Sequence, residues 1–305
     1  MAIEAKFAWL DGKIIPFAEA NVHILTHSLH YANAVFEGTR AYKTSNGMAI
    51  FRLQDHTKRL MESAKITALN VPFSQKELED AQVTLLRANG FTSNTYIRPL
   101  VFLGDGIMGI DHRRCQVRVA IAAWPWGAYL GDAGLEQGIR VCCSSLHRNN
   151  PKSSFVKAKA SANYLNSMMA KYEAINNGYE EAILLDDEGF IAEGSGECFF
   201  IVKNNVLITP PNDHSLQSIT QDMVLRLAKD LNIKVERRRI SRDEVYVADE
   251  CFLTGTAAEI TPVREMDKRT IGSGSRGVMT KRVQDAFFDV VYGRNEKYSD
   301  LLTYI

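Results

Sequence analysis

A chain of 305 residues is long enough for about two domains, and its 46% hydrophobic and 24% charged content describes an ordinary globular protein with ample core. The 36 basic and 36 acidic residues cancel, which removes any bulk electrostatic case for nucleic acid or an anionic membrane. The opening MAIEAKFAWLDGK lacks a basic segment followed by an apolar one, so no signal peptide is expected. The longest apolar stretch, 119–130, is broken by Pro125 and Gly127 and is too short to span a bilayer. Cys115, Cys142, Cys143, Cys198 and Cys251 make an odd set without a CxxC pair, which points to free, mostly buried thiols in a reducing cytoplasm.

In chain order, 5–10 and 13–17 around Asp11-Gly12 predict a β-hairpin. Residues 30–42 are mixed, with Gly38 placed for a close backbone approach. Asn46-Gly47 signals a second hairpin leading into 48–52. Asp55 is expected to cap a helix reaching about Ala68. Ser74 and Glu77 have capping-box spacing, and Gly90 closes the helix they open. Residues 95–103 and 117–123 predict strands, so the first part of the chain is α+β. Residues 126–138 are Gly-rich without strand periodicity and read as a connector, and 139–146 begins a second domain.

The stretch from Ser154 to Pro211 is the most informative. Phe155 to Lys159 alternates apolar residues with lysine, which suits a strand end, and Lys157 and Lys159 share one face of it. Residues 160–177 predict a helix with Tyr164, Leu165, Met168, Met169 and Tyr172 on an apolar face, ended by Gly178 in a left-handed cap. Strands are expected at 182–185 and 198–202, the latter returning through Asn204-Asn205 to 206–208. Between them lies the turn Glu193-Gly194-Ser195-Gly196-Glu197. Beyond it, helices are expected at 220–231 and 277–292, strands at 233–240 and 250–253, and a capping box at Ser241–Glu244.

The motifs KASANYLNS, GYEEAILLD, GFIAEGSGECFFIV and VLITPP resemble those of the branched-chain amino acid aminotransferases, fold-type-IV enzymes that use pyridoxal 5'-phosphate. HYANAVFEGTRAY, FRLQDHTKRLMESAKI, YIRPLVFLGD, WPWGAYLG, SIT and GTAAEITPV extend the resemblance over nearly the whole chain in one order. The resemblance implies an α+β fold-type-IV architecture like that of D-amino acid aminotransferase. A small N-terminal domain (1–125) and a connector (126–138) precede a larger domain (139–305), with the cofactor between the two domains.

It also implies roles. Lys159 fits the K-A-x-x-N-Y spacing that Lys157 and Lys152 do not, and becomes the lysine that links covalently to the cofactor. Glu193 is the carboxylate at the pyridine nitrogen, where opposite charges favour each other, with Glu197 in support. Tyr164 bonds the phenolic oxygen. Arg59, whose guanidinium offers paired donors, clamps the phosphate. Ile219 and Thr220 at a helix start, with Gly196 and Thr256, complete its cup. Gln217-Ser218 stand where the family commonly has Pro-Gly, and Cys198 where it has asparagine. The substrate pocket implied comprises Tyr31, Phe36, Gly38, Ile110, Trp126 and Tyr129. Thr256, Ala257 and Tyr96 bind the α-carboxylate, and Arg98 the distal carboxylate of glutamate.

The implied reaction is ping-pong amino transfer between leucine, isoleucine or valine and 2-oxoglutarate, with Lys159 as general base and then acid. The implied partners are branched-chain L-amino acids, L-glutamate and their 2-oxo acids. Tyr31 and Ile110 belong to the set that crosses between subunits, which implies at least a homodimer, or a homohexamer built as a trimer of dimers. Rivals of the same fold are a D-amino acid or (R)-amine transaminase and an aminodeoxychorismate lyase. A non-catalytic pyridoxal-phosphate binder would be expected to lack Lys159. The G-x-G-x-x-G match at 272–277 lacks the βαβ surroundings of a dinucleotide site. His27 and His30 have no acidic partner in metal-binding spacing, and no metal is expected.

Overall fold

The computed structural model describes residues 5–127 and 129–305; Met1–Glu4 and Ala128, which falls in the expected connector, lie outside the described residues. The chain forms two compact units. The first comprises Met1–Trp126, Lys157–Ala162 and Val291–Ile305, the second Gly127–Val156 and Asn163–Val290. The expected continuous division therefore differs in two places. Lys157–Ala162 belongs to the first unit because its backbone is bonded there: Phe36 N–H donates to Lys159 O at 3.0 Å and Lys159 N–H to Ser63 Oγ at 3.0 Å. The C-terminal segment belongs there because its strand, Leu302–Tyr304, pairs with Ala49–Phe51.

The first unit contains β1 (Phe7–Leu10), β2 (Lys13–Pro16), α1 (His27–Tyr31), β3 (Ala34–Phe36), β4 (Thr39–Thr44) and β5 (Gly47–Phe51). It continues through α2 (Leu53–Ile66), α3 (Gln75–Asn89), β6 (Thr95–Leu103) and β7 (Val117–Pro125). Its antiparallel sheet runs C-terminal strand, β5, β4, β6, β7, β1, β2, with β3 added on β6. Both hairpins form, and Asp11 and Gly12 take the positive φ angles, 45° and 94°, that a tight two-residue turn requires. The box at Ser74 is complete: its Oγ accepts from Glu77 N–H, and the Glu77 carboxylate accepts from Ser74 N–H. Asp55 does not cap α2. Arg52 is the N-cap, at φ 52°, and Asp55 sits in the first turn accepting from Arg52 Nε at 2.6 Å.

Period-two alternation gives this sheet two faces. Ile97, Val101, Leu103, Val119, Ile121 and Ala123 join Leu60 and Ala64 of α2 and Leu78 and Leu85 of α3 in one core. The alternate residues Arg98, Leu100, Phe102, Ala120 and Ala122 line a cavity of about 740 Å³.

The second unit contains α4 (Asp132–Gln137) within the expected connector, β8 (Ile139–Cys143), α5 (Tyr164–Asn176), β9 (Glu181–Leu185) and β10 (Ile191–Gly194). It continues through β11 (Cys198–Lys203), β12 (Val206–Thr209), α6 (Ile219–Asp230), β13 (Lys234–Arg237) and α7 (Arg242–Tyr246). Then come β14 (Glu250–Gly255), β15 (Glu259–Met266), β16 (Arg269–Thr270) and α8 (Val278–Val291). The sheet order is β10-β9-β8-β15-β14-β11-β12-β13, with β16 on β15. β8–β9 and β12–β13 are parallel, and α5 and α6 are the crossovers that such pairs need.

Three expectations fail locally. Residues 155–159 form turns instead of a strand, with only Ala160 bridging to Val35, so Lys157 is exposed while Lys159 is half-buried. On α5 the large apolar residues Leu165, Met168, Met169 and Tyr172 are exposed, and the buried residues are Ser167, Ala170 and Ala174. Ala170 and Ala174 pack with Ala182 and Leu184, because small side chains let the helix lie close on the strand. Ser241 holds the N-cap position of α7, but its side chain makes no cap bond; its Oγ donates to Asp243 Oδ1.

The glycines of 272–277 serve packing: a Cβ on Gly272 would meet Asp249 O at 2.0 Å, and one on Gly277 would meet Glu250 Cδ at 2.0 Å. The Glu250 carboxylate takes the N–H groups of Met279 and Thr280 at 2.8 and 2.7 Å, which fills the helix start that a nucleotide phosphate would need.

Removing residues 302–305 uncovers the edge of β5, whose Ile50 and Phe51 are buried. The truncated protein should melt at a lower temperature and aggregate on concentration; an unchanged melting curve would contradict this account of the first unit.

Candidate active site

One face of α2 organises the chemistry of the first unit. His56, Arg59 and Ser63 recur at three and four residues, so they share that face. Arg59 donates from Nε to Glu37 Oε1 at 2.6 Å and from Nη2 to Oε2 at 2.9 Å. His56 Nδ1 lies 2.8 Å from Oε2, and Gly38 N–H donates to the same oxygen at 3.1 Å. Glu37 is fully buried. Burial alone would raise its pKa, but the Arg59 charge and the His56 contacts overcome it and hold the carboxyl well below the usual range. Burial pushes the His56 pKa down despite Glu37, which keeps the ring neutral. Arg59, expected as the phosphate clamp, is therefore a guanidinium locked by a two-point carboxylate contact.

Ser63, one turn further on, fixes the backbone of Lys159. The Lys159 ammonium stands 5.2 Å from the centroid of the Phe36 ring. The Arg98 guanidinium lies 4.7 Å from the same ring and donates to the Tyr96 hydroxyl at 3.3 Å. Tyr96 meets Trp126 edge-on at 4.8 Å. Trp126 is pinned by its carbonyl, which accepts from Arg40 Nη2 at 2.9 Å. Gly38 has a steric reason to be glycine: a Cβ there would fall 1.9 Å from the Tyr96 hydroxyl. Phe36, Gly38, Tyr96, Arg98, Trp126 and Lys159 are thus brought together. Tyr31 and Ile110 are not part of that group: both are exposed, Ile110 to 89%, and Tyr31 Oη accepts from Gly109 N–H at 3.2 Å. His27 and His30 each bond a backbone carbonyl, Gly109 O and Ile24 O.

In the second unit, a bulge in β10 sets Glu193. Ile191 pairs with Leu185 and Glu193 with Leu184, which leaves Ala192 extra and re-aims the side chain after it. Glu193 is buried and ion-paired with Arg148. At α6, Ser218 is the N-cap and its Oγ accepts from Gln221 N–H at 3.1 Å, so the departure from the family's Pro-Gly installs a favourable cap. Ile219 and Thr220 are the first two helical residues, whose N–H groups have no intrahelical acceptor. Thr256 and Ala257 form the turn between β14 and β15, closed by Thr261 Oγ1 donating to Ala258 O at 2.7 Å. Tyr164 opens α5, and Tyr129 carries the Lys171 ammonium over its ring at 5.5 Å. Cys198 is buried in β11 opposite Thr254.

The candidate residues named from the sequence omit Glu37, His56, Ser63 and Arg148. The first had a readable signal, an acid inside the apolar run AVFEG. The next two share helical spacing with Arg59. Arg148, in a loop after β8, carried none.

Residues 34–266 match the family model described as amino-transferase class IV. A curated branched-chain-amino-acid aminotransferase from Pseudomonas aeruginosa is 48% identical over 297 residues, 97% of this chain and 96% of that protein. The chain belongs to the class IV aminotransferases, among the branched-chain-amino-acid aminotransferases. Its fold agrees with the solved branched-chain aminotransferase of the archaeon Thermoproteus uzoniensis with norvaline, at TM-score 0.94 and 44% identity over 98% of this chain and 99% of that one. The branched-chain amino acid aminotransferase of Thermobaculum terrenum, solved in its pyridoxal-phosphate form, matches at TM-score 0.92 and 37% identity over 99% of each chain.

In this aminotransferase, Glu37→Ala removes the buried carboxylate that the mostly buried Arg59 guanidinium grips at two points. The expected loss is about 3–5 kcal/mol of stability at neutral pH, read by denaturant unfolding. The sign in acid also follows. Glu37's folded pKa lies below the ordinary 4.5, so its contribution is present above that value and is lost as pH falls. His56 acts in the same direction from the ordinary 6.5 downward, because the unfolded ring takes a proton that the folded one resists. The variant should therefore show a shallower acid limb than the parent.

Proposed function

We propose that this chain transfers the amino group of L-leucine, L-isoleucine or L-valine to 2-oxoglutarate, yielding the branched-chain 2-oxo acid and L-glutamate, with pyridoxal 5'-phosphate as cofactor. The observation that carries the reading is Lys159: a half-buried amine fixed by two backbone hydrogen bonds, beside an aromatic wall and a second cation. Each unit carries groups suited to the cofactor. The first offers an amine for an aldehyde and a locked guanidinium for a phosphate. The second offers a capped helix start for a phosphate and a buried ion-paired carboxylate for a ring nitrogen.

When bound, pyridoxal 5'-phosphate supplies an aldehyde that condenses with amines and a ring that accepts the electron pair left by a departing α-proton. Lys159 Nζ would anchor the group, and would take the proton from the substrate's α-carbon as general base and return it as acid. Arg59, the N–H groups of Ile219 and Thr220, Gly196 and Thr256 would hold the phosphate. The Glu193 carboxyl would face the ring nitrogen. Tyr164 would donate to the phenolic oxygen. Tyr96 with the Thr256-Ala257 turn orients the α-carboxylate. Arg98 receives the distal carboxylate of glutamate, and Phe36, Gly38, Trp126 and Tyr129 wall the side chain. Both substrate classes are served because Arg98 is stacked on Phe36, a cation set in an apolar surface.

The exposed positions of Tyr31 and Ile110, and the exposed apolar face of α5, support a homodimer at least, extending to a hexamer. No helix among the described residues is long and apolar enough to cross a membrane, and the five free cysteines support a cytoplasmic setting. Met168→Glu combined with Tyr172→Glu should reduce the assembly mass in sedimentation analysis; an unchanged mass would remove α5 from the interface.

The test of the reaction is the absorbance spectrum of the cofactor-loaded protein. Excess L-leucine without oxo acid should shift the visible band, and 2-oxoglutarate should restore it. Lys159→Ala should abolish the turnover. A band that ignores L-leucine and responds to D-alanine or an (R)-amine would transfer the protein to one of the rival activities. Absence of any cofactor band after incubation with pyridoxal 5'-phosphate would overturn the reading.

A further inference from the structure

The second unit buries three carboxylates near one another against two cations: Glu181 on β9, Glu193 on β10 and Glu197 just before β11. Arg148 pairs with Glu193. The Lys171 ammonium stands 2.6 Å from Glu181 Oε2 and also donates to Glu180 O at 2.6 Å. Glu197 has no ion pair among the described residues. Its Oε2 accepts from Gly196 N–H at 3.1 Å, and its backbone carbonyl accepts from Gly194 N–H at 2.7 Å. A Cβ on Gly194 would lie 2.7 Å from that same Oε2, so the carboxyl is packed down on the turn that follows Glu193. A buried carboxylate without a counter-ion is costly, whereas a neutral acid needs only hydrogen bonds.

We propose that Glu197 is a positioning residue, held as the neutral carboxylic acid, whose hydrogen bond to Gly196 shapes the turn that presents Glu193. It acts through Glu193 and touches neither substrate nor reacting atoms. The proposal rests on the reading that Glu193 faces the cofactor's ring nitrogen. The groups that face Glu197 are Glu181 from β9, Lys171 from α5 and Glu193 from β10. Burial and then the Glu181 charge push the Glu197 carboxyl up to about 8, against a smaller opposing pull from Lys171. A neutral neighbour leaves Glu193 as the turn's only anion. An ionised one would add a like charge and raise Glu193's own affinity for a proton.

The test uses holoenzyme and three measurements. Difference infrared spectroscopy at neutral pH should show the C=O stretch of a protonated carboxylic acid that Glu197→Gln removes. The folded pKa lies above the ordinary 4.5, so the stabilisation is complete below that value and is lost as pH rises through about 8. The parent's melting temperature should fall over that window, and that of Glu197→Gln should fall less. Glu197→Ala, which removes the partner of Gly196, should weaken pyridoxal 5'-phosphate retention by about tenfold, and Glu197→Gln should restore it. No carboxylic-acid band, parallel melting profiles, or a Gln variant as impaired as Ala would each overturn the proposal. The infrared and melting arms require no turnover, so their failure is distinct from failure of the aminotransferase reading. If Glu197→Ala does not fold, those two arms carry the test.

Discussion

The first unit depends on one buried carboxylate. Glu37 has no water to solvate it, so its charge is tolerable only because Arg59 approaches it in a fork and His56 and Gly38 fill the remaining directions. That requirement dictates the rest. α2 must present Arg59 and His56 on one face, and the chain must turn the Gly38 N–H onto the carboxylate. Ser63, on the same helical face, then holds the backbone of Lys159. The lysine and the arginine therefore share a helix as their common reference, which fixes their separation. Such rigidity is what a site needs when small displacements of a reacting group are expensive.

The second unit solves a different electrostatic problem. Glu193 is buried, a bulge at Ala192 sets the direction of its side chain, and Arg148 pairs with it. Two further buried glutamates stand close, and the unit separates their roles by giving Lys171 to Glu181 and only a backbone N–H to Glu197. Identical side chains thus meet different partners, an ion pair for Glu181 and Glu193 and a backbone N–H for Glu197, which is set by environment and not by residue type. The same economy appears at helix starts. Ser218 caps α6 with its hydroxyl, while Glu250 occupies the start of α8 and closes it to other anions.

How far the residues themselves announce this arrangement varies with the kind of interaction. The hairpins at Asp11-Gly12 and Asn46-Gly47 and the box at Ser74–Glu77 are local, so short-range sequence rules find them. The site motifs were legible because several family patterns recur in one order, and Lys159 was distinguished from Lys157 by that pattern alone. The exposed Lys157 and half-buried Lys159 differ physically because the segment turns instead of extending, which alternation does not anticipate. The apolar pattern of α5 was real, but it marked the outward face, since Ala170 and Ala174 allow a closer approach to the strand than any large residue could. Arg148 was invisible because its partner, Glu193, lies far along the sequence and no local rule links them.

By itself, then, the sequence determined the element types with local signals, the α+β character, and which residue types stand at the motif positions. Those features rest on backbone preference, short-range hydrogen bonding and residue type, all of which act within a few positions. Only the tertiary structure decided which unit holds Lys159, which face of α5 is buried, why Gly38 cannot carry a side chain, and which glutamates are paired. Those outcomes depend on burial and on charges brought together from distant positions, and burial and pairing are properties of the folded chain.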